Sequence, residues 1–333
     1  MPHEPIPPDR LEGAILDVMA ARHIPGLALA VARDGQVVHT AAHGCANLEW
    51  GIPATTDTAF EIGSVSKQMT ATAAMMLVEE GRMELDASLS DYLPESPPAW
   101  KPVTVRHLLT HTSGIPSYTE LPGFEMTEKL DREAFIGRLA THPLSFEPGQ
   151  KYYYNNSGYN LLGHIVAIVS GQAFWSLLRA RILGPLGMAS TRPRDPRDVI
   201  PKRAAGYEWV DGVYRNRDYD LTDVFSAGAL VSTVGDLAQW DAALGTERLV
   251  KRSSLEMMWT PHVLPGGEAV KYGFGWGIGE SDGRRFVSHG GSTSGFSAVM
   301  RRFLDPQLTI IVLTNIETED AALDVAKSIL PLL

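Results

Sequence analysis

Apolar positions along the chain fall into helical and strand periods, and the order in which the periods alternate predicts the architecture. Leu11, Ile15, Val18 and Met19 recur at three- and four-residue spacing behind Asp9, which predicts a capped helix ending near Pro25-Gly26. Leu27 to Arg33 and Gln36 to Ala42 read as strands around Asp34-Gly35, a dipeptide that favours a tight hairpin turn. Helical spacing returns after Ser64, where Met69, Ala73, Met76 and Leu77 share a stripe that Gly81 stops. Leu85 to Pro94 reads as a loop with a short helix, Thr104 can cap Val105 to Leu109, and Asp131 opens another helix. Ser157 begins a longer helix with Leu161, Leu162, Ile165, Val166 and Val169 inward and Gly171 as its stop, and Ala173 to Leu183 continues in the same period. Residues 190 to 222, rich in Pro, Arg, Asp and Tyr, read as long surface excursions able to shape a cleft.

From Ser226-Ala227-Gly228 the pattern changes again. Asp236 to Leu244 is helical, and Tyr272 to Gly279 alternates Gly with Phe274, Trp276 and Ile278. That alternation predicts a strand with one bulky and one bare face, against which a helix can pack closely. Arg285 to Ser288, Ser297 to Phe303 and Leu308 to Thr314 continue as strands, and Asp320 to Leu332 closes the chain as a helix. The two ends thus supply strands and terminal helices, while the middle supplies helices. The predicted fold is α/β (α+β): an antiparallel sheet flanked by terminal helices, from residues 1–62 and 226–333, with a mainly helical domain, 63–225, inserted and the active site at the interface.

Composition narrows the function classes. The 333 residues are 44% hydrophobic and 20% charged, ordinary for a globular chain with material for a sizeable core. A net charge of -10 argues against nucleic acid and anionic membrane surfaces as partners. No apolar run approaches the length of a membrane span. Met1-Pro2-His3-Glu4-Pro5 lacks the basic and apolar regions of a secretory signal, so the expectation is a cytoplasmic protein, or a periplasmic or secreted one if a leader has been removed. Cys45, the single cysteine, excludes an intrachain disulfide and is expected to fill core space. The ten histidines show no metal-ligand spacing and there is no His-Glu-x-x-His, so neither metal nor cofactor is expected. A Gly-x-Ser-x-Gly elbow is absent as well, which sets aside a Ser-His-Asp hydrolase of the α/β-hydrolase type.

Three stretches carry candidate chemistry. In Ser64-Val65-Ser66-Lys67 the serine and lysine lie one turn apart at a helix start and face the same way. A buried lysine with a lowered pKa can take the proton of a serine that is otherwise a weak nucleophile, and the helix N-terminus favours negative charge developing there. A serine three residues before a lysine arises by chance about once in a chain of this length, so the pattern gains meaning only from its company. Tyr154-Asn155-Asn156 precedes a helix. Its Tyr hydroxyl can give and accept a proton, and Asn156 can hold a substrate amide or Lys67. Tyr153 with Asn155 offers a rival register of the same spacing. Ser288-His289-Gly290-Gly291-Ser292 lies between two predicted strands. Its glycines admit a substrate to the backbone, and the Ser292 N–H can join that of Ser64 in an oxyanion hole. His107 and His111, four apart, read as structural residues, and Trp175, Trp240 and Trp259 as core.

Taken together these stretches resemble the serine beta-lactamase and penicillin-binding protein superfamily, in particular its class C-like branch of class C beta-lactamases, D-Ala-D-Ala carboxypeptidases, D-aminopeptidases and family VIII esterases. The order of motifs matches, and so do the words between them. His107-Leu108-Leu109-Thr110-His111-Thr112-Ser113-Gly114 is similar to a segment of that branch, and Pro148-Gly149 before Tyr154 with Gly158-Tyr159 after it sets the register of the second motif. The resemblance implies Ser64 as the acylated nucleophile, Lys67 as its base, and Tyr154 as the proton shuttle to the leaving group. It further implies Asn156, His289, Gly291 and Ser292 as substrate and oxyanion ligands, in a beta-lactamase/transpeptidase-like fold. The third motif departs from the branch's lactamases: His289-Gly290-Gly291 stands where they resemble Lys-Thr-Gly. A histidine is mostly neutral at pH 7 and Gly290 offers no hydroxyl, so a substrate carboxylate loses two partners. The expectation is therefore an esterase or D-amino acid peptidase or amidase acting on a small ester, amide or lactam, with weak or no beta-lactamase activity. The alternatives are a beta-lactamase proper and a non-catalytic member that keeps the fold for binding or assembly. The sequence leaves the oligomeric state open.

Overall fold

The computed structural model describes residues 8–123, 130–219, 224–318 and 320–333. In chain order it runs from helix α1 (Pro8–Ala21) through strands β1 (Gly26–Arg33), β2 (Gln36–Asn47), β3 (Ile52–Pro53) and β4 (Phe60–Glu61) to α2 (Ser66–Glu79). Helices α3 (Val105–Leu109), α4 (Arg132–Ala140), α5 (Asn156–Ser170) and α6 (Phe174–Leu178) follow. Next come β5 (Arg192–Pro193), β6 (Tyr207–Val210), β7 (Val213–Asn216), α7 (Phe225–Gly228), β8 (Leu230–Ser232), α8 (Val234–Leu244) and α9 (Arg252–Met258). The chain ends with β9 (Gly277–Ser281), β10 (Arg284–Thr293), β11 (Phe296–Phe303), β12 (Leu308–Thr314) and α10 (Ala321–Ile329).

Seven strands form one sheet in the order β3-β2-β1-β12-β11-β10-β9, and all neighbouring strands in it run antiparallel. The first and last strands of the chain, β1 and β12, meet at its centre, so both termini are needed to build it. Asp34 and Gly35 both take positive φ, as a two-residue hairpin of primed type requires, and Arg33 faces Gln36 across the turn. Alternation along β1 sends Leu27, Leu29 and Val31 to one face, where they pack with α1 and α10. Ala28 and Ala30 go to the other, where their small side chains let α8 approach. β1 and β12 are thus covered on both faces, and their apolar runs are continuous.

Helix α2 is the core of the helical side: every residue from Ser66 to Leu77 is buried. A helix buried all round needs apolar or small residues on all its faces, and its run of Ala and Met supplies them. Trp240 on α8 donates its indole N–H to Gln68 on α2 at 2.9 Å and so locks the helix to the layer over the sheet. Gly275 provides the close approach expected of the Gly-rich stretch. Its φ is +78° and an added methyl would sit 2.7 Å from the Lys67 carbonyl oxygen. The stretch itself is not a strand before Gly277: residues 273 to 276 turn against α2, because the chain yields its pleat to make that contact.

Other expectations change as well. The third motif lies inside β10, paired residue for residue with β11, and not between strands. Residues 190 to 219 are not purely surface. Tyr207 and Arg194 are buried, and Asp211-Gly212 turns a hairpin between β6 and β7 with positive φ at both residues. Cys45 is half-buried at the end of β2, beside the open turn to β3, and is not a core filler. Helix α1 begins at Pro8, so Asp9 lies within it. Among the described residues no single helix is long and apolar enough to cross a membrane.

Candidate active site

Ser64 sits on a 3-10 turn, Gly63–Val65, that runs directly into α2, so Lys67 occupies the helix's first turn. Gly63 takes a φ of +49°, and this sharp entry separates the end of β4 from the helix. The Lys67 side chain is wholly buried, and its amine touches three oxygens: Ser64 Oγ at 2.9 Å, Asn156 Oδ1 at 2.8 Å and the Ala227 carbonyl at 2.7 Å. Burial alone pushes the Lys67 pKa far below its ordinary value, with no carboxylate opposing the shift. The Asn156 and Ala227 oxygens can only accept, so each takes an N–H of the amine. Burial favours loss of the third proton, and the lone pair this frees faces the Ser64 hydroxyl.

Tyr154 arrives from the extended segment before α5. Its hydroxyl faces Ser64, and the residue stays 36% exposed. Desolvation raises the phenol above its usual value, only partly offset by the neighbouring Ser64, so it is held as a neutral proton carrier. The Lys67 amine lies 4.9 Å from the centre of the Tyr154 ring. The rival register separates cleanly. Tyr153 points away and donates to Glu120 at 2.8 Å, and Asn155 caps α5 by accepting from the Gly158 N–H at 3.2 Å. Asn156, the first residue of α5, is left to hold Lys67.

Strand β10 closes the other side. Gly63 and Gly291 abut so tightly that a methyl on Gly63 would lie 3.0 Å from the Ser292 nitrogen. A methyl on Gly291 would lie 2.0 Å from the Ile62 carbonyl oxygen and 3.2 Å from the Ser64 nitrogen. The two amides named as oxyanion donors are therefore gathered at one backbone contact that only glycines permit. A cavity of about 370 Å³ opens beside them, lined by Tyr154, Ser288 to Ser292, and Leu323 of α10.

His289 is buried, and both its ring nitrogens are engaged. Nδ1 lies 2.7 Å from the Gly290 carbonyl, which can only accept, so Nδ1 carries the proton. Nε2 lies 2.8 Å from the Tyr272 hydroxyl and accepts from it. Burial, the largest cause, holds the His289 pKa down at about 3, so the ring is neutral at any ordinary pH. His111, read from the sequence as structural, is buried against Tyr154 with ring centres 4.3 Å apart, and it accepts the Asn155 N–H at 3.1 Å. It fixes the backbone that presents Tyr154. Tyr272, Ala227 and His111 were missed as site residues. Ala227 contributes only a carbonyl, which its identity cannot advertise, while Tyr272 is recognisable only through its partner His289.

All seven residues singled out in the sequence converge on this cleft. The family model described as Beta-lactamase matches residues 11–330. The chain belongs to the beta-lactamase family. The D-amino acid amidase from Ochrobactrum anthropi SV3 is similar in structure, with a TM-score of 0.84 at 26% identity over 97% of this chain and 98% of that one. The D-aminopeptidase of Gluconobacter oxydans is 29% identical over 92% of this chain and 58% of its own length. Esterase EstB of Burkholderia gladioli is 34% identical over 54% of this chain and 50% of its own. The fold is that of beta-lactamase and transpeptidase-like proteins, and the relatives belong to the serine hydrolase superfamily.

Proposed function

We propose that the protein is a serine hydrolase that works through an acyl-enzyme on Ser64 and takes small esters or amides without a free carboxylate at the third motif. The contact set of Lys67 carries the first half of this reading: its neutral amine is aimed at the Ser64 hydroxyl by two carbonyl acceptors. Ser64 Oγ bonds to the substrate carbonyl carbon as its proton passes to Lys67. The oxyanion is held by the Ser64 and Ser292 amides, and Tyr154 delivers a proton to the leaving group as the bond to it breaks, taking in its place the proton that Lys67 received from Ser64. Water then bonds to the acyl carbon as it gives a proton to Lys67, the bond to Ser64 Oγ breaks, and that proton returns to Ser64.

His289 supports the second half. A penicillin-like substrate presents a carboxylate, and at this position the chain offers a neutral imidazole with both nitrogens already bonded. Neutral esters and amino acid amides need no cation there. The amidase, aminopeptidase and esterase relatives point the same way. The test is a hydrolysis panel of p-nitrophenyl acetate, D- and L-amino acid amides, D-Ala-D-Ala peptides and nitrocefin, run on wild type and Ser64→Ala. Turnover of the ester or a D-amide, lost in Ser64→Ala with its covalent adduct, supports the reading. Efficient nitrocefin turnover contradicts the carboxylate argument, and undiminished activity in Ser64→Ala contradicts the nucleophile.

A further inference from the structure

The two segments that make the oxyanion pocket come from opposite ends of the chain, and their backbone contact at Gly63 and Gly291 involves no side chains. Something must hold them at a fixed separation. Glu61 lies three residues before Ser64, and Thr293 follows Ser292 directly. The Thr293 hydroxyl donates to Glu61 Oε2 at 3.0 Å, bridging the two segments beside the pocket. Glu61 is fully buried, and its other oxygen accepts from Arg194 Nε at 3.2 Å.

Arg194 is itself fixed. It follows β5, and its N–H donates to the Ala229 carbonyl at 2.7 Å, beside the β4-β8-β5 sheet that also carries Glu61. Its guanidinium reaches Asp218 at 3.2 Å, and Asp218 pairs with Arg203 at 2.7 Å. A buried carboxyl with two directed partners is a stiff connector, because any shift of either segment leaves a polar atom unsatisfied.

We propose that Glu61 is a positioning residue for the oxyanion pocket: through Thr293 it sets the distance between the Ser64 and Ser292 amides, and through Arg194 it ties that distance to the 190–219 segment. This rests on the acyl-enzyme reading above. Arg194, Arg203, Asp218 and Thr293 are the groups acting on the Glu61 carboxyl, and burial raises its pKa to about 8 against the pull of Arg194.

The test uses Thr293→Val, which keeps the shape and removes the donor, with Thr293→Ser as rescue and Glu61→Ala as the larger cut. Displaced oxyanion donors cost rate in the transition state and little in ground-state binding. Thr293→Val is expected to lower kcat for p-nitrophenyl acetate and the rate of Ser64 labelling by a fluorophosphonate about tenfold, with KM within about twofold. Thr293→Ser restores both rates. The double variant Glu61→Ala/Thr293→Val loses no more than Glu61→Ala alone, since both break one tie. A Thr293→Val protein that labels and turns over at the wild-type rate, or losses that simply add, overturns the proposal while leaving Ser64 as nucleophile. Failure of the wild type to label at Ser64 overturns both readings.

Discussion

Gly291→Ala separates the backbone argument from a side-chain one. The new methyl would lie 2.0 Å from the Ile62 carbonyl oxygen and 2.9 Å from its carbon, both backbone atoms that no rotamer change can move. Contacts under about 3 Å are not tolerated between such atoms, so β10 and the Ser64 turn must part by about 1 Å. A displacement of that size at reacting groups costs about a hundredfold in rate, comparable with losing one oxyanion donor. That is about 2.7 kcal/mol of transition-state stabilisation. Gly290→Ala is the control. It is the neighbouring residue in the same strand, yet its nearest contact would be the Ala298 carbonyl oxygen at 3.9 Å, an ordinary distance. The assay is kcat and KM for the best substrate of the panel, with circular dichroism and thermal melting to confirm folding. A folded Gly291→Ala enzyme with kcat within threefold of wild type would refute the idea that this contact sets the catalytic geometry.

Two further predictions concern protons. Activity requires neutral Lys67, whose pKa burial lowers well below 10.5, so kcat/KM rises with pH and levels off far below that value; Tyr154 and His289, both held neutral, add no break near neutrality. A rate still climbing at pH 10 would show Lys67 to be an ordinary ammonium. The second prediction is acid sensitivity. His289 has a folded pKa near 3 against about 6.5 unfolded, so its contribution to stability is complete above pH 6.5 and is lost as pH falls toward 3. This amounts to about 2 kcal/mol at pH 5 from His289 alone, and His111 shifts in the same direction. Urea midpoints should fall between pH 7 and pH 5; a flat profile contradicts the neutral burial of these rings.

What was legible in the sequence depended on whether the signal was local. Ser64 and Lys67 are three residues apart on a helix, so their convergence follows from helical geometry, and Asp34-Gly35 sits between apolar runs that mark the flanking strands. Asp211-Gly212 carries the same turn signal, but its neighbours Val210 and Val213 are exposed and the strands are four residues each, so no alternation announced them. Gly290 and Gly291 weakened the strand reading of β10, because glycine is a poor strand former; the pocket beside Gly63 demands it there regardless. The glycines of 273 to 279 misled in the opposite sense, since Gly275 serves a contact with α2 and not a sheet face. Asn155 and Asn156 were both polar residues before a helix. Only the three-dimensional register decides which one caps α5 and which one reaches Lys67.

The electrostatics of the cleft form a single design. Lys67, His111, Tyr154 and His289 are all titratable, and burial drives each toward its neutral form. Their hydrogen-bond partners are carbonyls, hydroxyls, a backbone N–H and a side-chain amide, with no carboxylate among those described. An aspartate in place of Asn156 would pair with Lys67, hold it as an ammonium and remove the lone pair that Ser64 needs. Formal charge is gathered instead one layer out, where Arg194 and Arg203 both pair with Asp218 and Arg194 also donates to the buried Glu61. The resting cleft therefore holds no fixed charge at the reacting atoms. The first strong charge to appear there is the oxyanion of the reaction itself, in low-dielectric surroundings where preset amide dipoles act at greatest strength. A lysine at position 289 would break that economy by adding a permanent cation, useful for a carboxylate-bearing lactam and costly to a base that must stay neutral a short distance away.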